Sequence, residues 1–293
     1  GEAITNIAAA RIEKLSDIRL SANWMAACGQ HDEDARLFDT VRTVGAELCP
    51  ELGIAIPVGK DSLSMKSVWQ QDGETRTQTS PLSVVISAFA PVADVRKSLT
   101  PQLRADAGDT RLILIDLGNG KNRLGGSALA QVYGEVGDIA PDLDQPQQLK
   151  AAFDAVQTLN AAGCVLAYHD RSDGGLYAAL CEMAFAGHVG VTVALDALGT
   201  DALAALFNEE LGMLLQVRAA DAAGVLDQLN DAGLSAHCIG APAADDQIRF
   251  SQSGREIYDT QRETLHRLWA ETSYRMAALR DVDECARKEF STV

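Results

Sequence analysis

The chain has 293 residues, 47% of them hydrophobic, and carries 25 Lys+Arg against 41 Asp+Glu, a formal charge of −16. That length suffices for one large domain or two modest ones, each with its own core. So acidic a chain argues against non-specific binding to nucleic acid or anionic lipid, because both attract cationic surfaces. Any phosphate it binds must be held locally, by backbone N–H groups, isolated cations or metal ions.

Residues 2–15 (EAITNIAAARIEKL) read as a helix, with Ile4, Ile7, Ala8 and Ile12 near one face and Ala abundant. A second helix is expected over 32–48, stopping before Pro50. Residues 54–65 read as a strand ending in a loop that contains Gly59, and the β-branched run 81–92 as a buried strand. The polar stretch 96–109, with Pro101 and Gly108, marks a domain boundary. Beyond it come a core strand at 111–117, a glycine-rich loop at 118–127, a helix at 147–162 and a strand at 164–168. That strand runs into His169-Asp170-Arg171-Ser172-Asp173-Gly174-Gly175 and a helix at 176–186. Further strands are expected at 189–195, 211–217, 236–241 and 248–251, with a helix at 221–232. An amphipathic helix over Arg262–Arg280, containing Leu265, Leu268, Trp269 and Met276, should pack against the domain. Regular βαβ repetition is lacking, so the pattern predicts an α+β class and not a doubly wound sheet.

Six cysteines (Cys28, Cys49, Cys164, Cys181, Cys238, Cys285) are scattered without a CxxC pair. They predict reduced, mostly buried thiols in a cytosolic protein. No apolar run approaches the roughly 18 residues of a membrane span, and no signal peptide is visible. The chain begins at Gly1 with a helix-like pattern at once, which reads as a segment of a longer polypeptide.

Three constellations could carry chemistry. In AYHDRSDGG a strand delivers Asp170 and Asp173 to a loop, and Gly174-Gly175 permit close backbone approach before a helix whose N–H groups can face an anion. A carboxylate there can hold Mg²⁺ bridging to phosphate oxygens; equally, Ser172 and Asp173 can simply cap the helix. Glu2 and Asn6, four residues apart on one helix face, each offer a hard oxygen, although exposed helix faces carry such pairs routinely. Gly59-Lys60-Asp61-Ser62 combines glycine, cation, carboxylate and hydroxyl, and is either a phosphate-contacting loop or an ordinary turn. The loop GNGKNRLGGS lacks Walker A spacing, which disfavours a P-loop enzyme and leaves Gly125-Gly126-Ser127 as a tight turn or anion nest. Five separated histidines and a strand-embedded Cys164 offer no catalytic triad.

The runs GEAITNIAAARIEKLSDIRLSANWM, VGKDSLSM, SPLSVVISAFAPV, RLGGSALAQVYG, LAYHDRSDGGLYAALCEMAFAG and WAETSYRMAALRD resemble the large, single-chain phosphoribosylformylglycinamidine (FGAM) synthases of bacteria. After LRD the chain departs from that pattern at Val282-Asp283. The resemblance implies a purine-pathway ligase turning formylglycinamide ribonucleotide, ATP and glutamine into FGAM, ADP, phosphate and glutamate, through an iminophosphate that ammonia attacks. It implies a core of two fused copies of the aminoimidazole-ribonucleotide-synthetase-like fold. In each copy a small α/β domain forms half of a barrel-like core beside a larger α+β domain. This chain resembles the second copy, with subdomains at 1–100 and 101–261 and a helical tail at 262–293. By resemblance, Glu2, Asn6 and Asp170 are Mg²⁺ ligands and Ser172 a contact of a buried, structural ATP or ADP. Asp17 and Gly59 match nucleotide contacts, and Ser62 a substrate contact, of the active half-site; Lys60 stands where the family's metal-binding Asn would be. No catalytic residue is assigned. The partners implied are the first copy, an N-terminal domain and a glutaminase domain of the same polypeptide, so the segment alone should be inactive and could self-pair. The alternatives are another ATP-dependent enzyme of this fold, or a nucleotide-stapled structural half.

Overall fold

The computed structural model describes residues 1–293. They form two compact units, one of Gly1–Ala9 with Lys97–Val293 and one of Ala10–Arg96. The first helix, α1 (Glu2–Ile7), therefore lies with the larger unit and not at the start of the smaller. It is shorter than its periodicity predicts. Ile4 and Ala8 are buried in the larger unit, while Ile12, read as part of the same face, belongs to the smaller.

The smaller unit holds β1 (Arg19–Met25), α2 (Glu33–Val41), a π-helical stretch (Arg42–Leu48), α3 (Cys49–Leu52), β2 (Ala55–Ser62), β3 (Lys66–Gln71), β4 (Glu74–Thr79) and β5 (Ser83–Phe89). The helical run passes Pro50 because that proline sits in the first turn of α3, where its missing N–H leaves no bond unmade. β1 is central, parallel to β2 and antiparallel to β5. Leu20 and Ala22 are buried on one face of β1. The other face aligns Ser21 with Val58, Asn23 with Val85 and Arg19 with Phe89. Val58, Val85 and Phe89 are each more than half exposed, so the strand expected to be buried at 81–92 shows solvent much of its apolar surface. The sequence reading missed the β3–β4 hairpin. Its turn residues, Asp72 (φ 54°) and Gly73 (φ 79°), form the Asp-Gly pair that favours a two-residue hairpin.

The larger unit continues with β6 (Thr110–Asp116), α4 (Ala128–Val132), α5 (Pro146–Ala162), β7 (Val165–Arg171), α6 (Gly175–Gly187), β8 (Gly190–Ala194), α7 (Ala202–Phe207), β9 (Gly212–Arg218), α8 (Ala222–Asp231), β10 (Ser235–Ala243), β11 (Gln247–Gln252), β12 (Arg255–Gln261), α9 (Arg262–Arg280) and α10 (Asp283–Phe290). Its seven strands run in the order β12-β11-β8-β10-β6-β9-β7, antiparallel except for β8 with β11. β6 shows why the sheet is a core. Leu112 and Leu114 join Leu176, Leu180 and Met183 of α6 on one face, and Ile113 and Ile115, which alternate with them, are equally buried. The mixed, mostly antiparallel topology agrees with the α+β expectation. No helix is long and apolar enough to cross a membrane. All six cysteines are free thiols, but only Cys49 and Cys181 are buried, fewer than expected, and Cys238 and Cys285 are exposed.

Candidate functional site

Strand β7 pairs with β9 over Val165–Val217 to Arg171–Gly212 and forms one edge of the sheet. It extends past the expected residue 168, so His169, Asp170 and Arg171 belong to the strand and only Ser172-Asp173-Gly174 make the loop. Gly174 (φ 78°) and Gly175 (φ 67°) turn the chain into α6 in the left-handed region, where side chains other than glycine are strained. A Cβ on Gly175 would also stand 2.6 Å from Asn208 O.

Helix α1 is clasped to this edge. The Tyr168 hydroxyl donates to Thr5 O, and Gln157 Nε2 donates to Ala8 O at 2.8 Å. These contacts bring Asn6 Nδ2 to 3.3 Å from Oδ1 of the buried Asp170. Glu2 faces a small cavity, about 190 Å³, that Arg171, Ser172, Asp173 and Glu209 also line. Desolvation, then the charges of Asp173 and Asp170, push the Glu2 carboxyl above its ordinary range; the Gly1 amino group opposes this and Glu209 adds to it. The structure therefore brings Glu2, Asn6, Asp170 and Ser172 to one edge of the larger unit.

The cations nearby are already engaged. Arg171 is fully buried, donating to Asp116 Oδ1 at 2.5 Å, Glu210 O at 2.6 Å and Leu211 O at 3.0 Å. Arg123 pairs with the buried Glu210 (2.6 Å) and with Asp144 (2.8 Å), which also takes Lys121. Glu209 Oε1 accepts from Gly174 N and Ala128 N, each at 2.8 Å, and so joins the openings of α6 and α4. The sequence reading assigned nothing to Glu209, Glu210, Asp116 or Arg171; its available signal was the paired carboxylates Glu209-Glu210 directly before an apolar strand. Gly125-Gly126 is a tight turn and not an anion nest, since Gly125 N donates to Ile139 O and Gly126 N to Val136 O.

His169 stands beside this cluster. Its Nδ1 lies 2.7 Å from Asp170 O and its Nε2 2.9 Å from Glu182 Oε2. Both partners only accept, so both ring nitrogens carry protons. Burial opposes that charge, but the bonds to Asp170 and Glu182 outweigh it and raise the group to about 9.

The site tests well for a hard cation in donor chemistry: Glu2, Asn6 and Asp170 all offer oxygen, and the carboxylates crowd one another. No three His, Cys, Asp or Glu side chains converge closely enough to cage an ion, and Asn6 turns its amide nitrogen, not its oxygen, to Asp170. Ligation by this set needs the Asn6 amide to rotate and Glu2 to swing inward.

The remaining expected site residues lie in the smaller unit. Asp17 ends a 3₁₀ turn (Leu15–Asp17) and lines a shallow concavity of about 430 Å³ with Arg19, Phe89, Ala90 and Pro91. Gly59 and Ser62 are in β2 and not in a strand-end loop, because the ladder with β1 continues through Ala22–Gly59 to Met25–Ser62. Neither lines the Asp17 concavity.

Comparison with known proteins places two family matches on the chain: "FGAR-AT PurM_N-like domain" over residues 1–91 and "AIR synthase related protein, C-terminal domain" over 109–251. The fold is AIR-synthase-like. Among solved structures, Thermotoga maritima PurL complexed with ATP is 15% identical with a TM-score of 0.61, over 90% of this chain and 40% of that one. Phosphoribosylformylglycinamidine synthase II of the same organism gives 15% and 0.64, with the same coverage. E. coli HypE, a hydrogenase maturation protein, is 18% identical with a TM-score of 0.57, over 87% of this chain and 78% of its own length. The chain thus spans about two fifths of the PurL chains it matches.

Proposed function

We propose that this chain is the second copy of the synthetase core of a large bacterial FGAM synthase, and that its larger unit holds a Mg²⁺–nucleotide in a structural role. The observation that carries the reading is the clasp of α1 against the end of β7, which sets Asn6 on Asp170 and gathers Glu2, Asp173 and Glu209 around Ser172. Asn6, Asp170 and Glu2 would hold the metal, and Ser172 would contact the nucleotide. When bound, Mg²⁺ would neutralise phosphate charge that this carboxylate-rich pocket otherwise repels. The nearby guanidinium groups are tied to carboxylates, so a metal-free phosphate finds little to offset that repulsion.

Asp17, Gly59 and Ser62 would contribute to the active half-site once the first copy is present. The open apolar face of the β2-β1-β5 sheet supports a missing barrel half, and the length covered in PurL leaves room for it. On this reading the chain is a cytosolic piece of a larger polypeptide with a glutaminase domain, and has no synthase activity by itself.

Calorimetric titration of Mg²⁺–ADP into the chain and its Asp170→Ala variant tests the site. Binding that vanishes in a folded variant is expected; equal binding by both removes Asp170 from the site. A second reading, a self-sufficient ATP-dependent enzyme of the same fold, draws on the greater share of HypE that the chain covers. ATP hydrolysis by the chain alone would favour it.

A further inference from the structure

The clasp leaves one connected set of side chains unexplained. His169 does not line the cavity, yet it is tied to Asp170, the proposed ligand beside it. β7 is an edge strand, so strand pairing on β9 serves only one side of it. Nδ1 of His169 bonds the carbonyl of Asp170 at 2.7 Å and lies 3.6 Å from its Oδ1. Nε2 bonds Glu182 Oε2 of α6 at 2.9 Å, and the other oxygen of Glu182 accepts from Trp269 Nε1 of α9 at 3.2 Å. The imidazole is thus fixed at both nitrogens, and its anchor is fixed in turn by a helix from farther along the chain. A peptide group held this firmly has little freedom to re-aim the side chain it carries.

We propose that His169, braced by Glu182, is the positioning residue for Asp170: it fixes the strand-end peptide so that the carboxylate is presented to a divalent cation in one orientation. The inference rests on the proposed Mg²⁺–nucleotide site. It assigns His169 no contact with metal or nucleotide. Its effect reaches the ligand only through Asp170, so it should alter the metal requirement more than the fold.

The test is calorimetry of ADP binding at a series of Mg²⁺ concentrations, beside urea unfolding without ligand, for the unaltered chain and for His169→Ala, Glu182→Gln and Asp170→Asn. Loss of an outer-shell partner typically weakens metal affinity about 10- to 100-fold. His169→Ala should therefore raise the half-saturating Mg²⁺ about tenfold or more. Glu182→Gln, which keeps an acceptor oxygen for His169 Nε2, should shift it in the same direction by less. In a variant carrying both His169→Ala and Glu182→Gln the two effects should fall short of additive. A merely structural role would lower the urea midpoint and leave the Mg²⁺ requirement unchanged, and that result overturns the proposal; should His169→Ala fail to fold, Glu182→Gln decides alone. Asp170→Asn separates the two levels. If it abolishes binding while His169→Ala and Glu182→Gln bind as the unaltered chain does, only the positioning role is lost. If Asp170→Asn also binds normally, or the unaltered chain takes up no Mg²⁺–ADP, the site itself is lost and the inference with it.

Discussion

The two larger sheets of this chain use the same β-branched and aliphatic vocabulary and come to opposite ends. In the larger unit β6 and β9 are buried along nearly their whole length. In the smaller unit β2 and β5 are mostly exposed, although β5 reads Ser-Val-Val-Ile-Ser-Ala-Phe. Helices covering a face make the difference: α6 and its neighbours cover the larger sheet, whereas Val58, Val85 and Phe89 face outward from the smaller one. Apolar composition therefore records that a strand needs a partner, not that the partner is in the same segment.

That contrast can be broken from the buried side first. Arg171→Ala strands the buried Asp116 carboxylate, which otherwise has the guanidinium and the amides of Gly118 and Gly120 as partners. Removing one member of a buried pair costs roughly 3–5 kcal/mol, and urea unfolding should show a loss in that range. Leu214→Ala, in the centre of β9, should cost about 2–5 kcal/mol through the cavity it leaves. The matching change in the open sheet, Phe89→Ser, should stay within roughly 0.5 kcal/mol. It should also reduce any self-association seen by sedimentation; an equal loss of stability from both changes would end the contrast.

Strand glycines sharpen the comparison. A Cβ on Gly240 of β10 would sit 2.1 Å from Thr192 O, but one on Gly59 of β2 meets nothing within 4 Å. Gly240→Ala should destabilise by about 1–3 kcal/mol, as overpacking does. Gly59→Ala should be neutral or stabilising by up to about 1 kcal/mol, because glycine is a poor strand residue. The smallest effect is kinetic. Exposed Cys238 and Cys285 should react at once with a chromogenic disulfide, whereas Cys181, whose thiol burial pushes up to about 12, should wait for unfolding.

The sequence was most informative where a local pattern had one physical meaning. Helices α5, α6 and α8 and strands β6 to β11 follow from periodicity and from glycine or proline at their ends. The His169–Gly175 segment was legible as a strand-to-helix turn because Gly174 and Gly175 must adopt positive φ. What was hidden is what depends on distant partners. Glu209 carries no local signal of its role, yet its carboxylate holds two helix openings 35 and 81 residues away in sequence. Ile12 completed a helical face on paper, but the chain changes units before reaching it. Gly59 suggested a loop because the parallel ladder that straightens β2 is built from β1, a strand whose polar alternation gave no sign of itself.

The path of the chain carries one further consequence. Ala93 N donates to Arg11 O at 2.8 Å where the smaller unit closes, and Leu99 N donates to Ala9 O at 2.8 Å where the larger one does. The smaller unit is thus a parenthesis, opened after α1 and shut before the larger sheet resumes. Such a cassette can be lengthened, exchanged or deleted without rethreading the seven strands around it. A chain joining Ala9 to Lys97 through a few glycines should still fold its larger unit, carrying Glu2, Asn6, Asp170 and Ser172 with it.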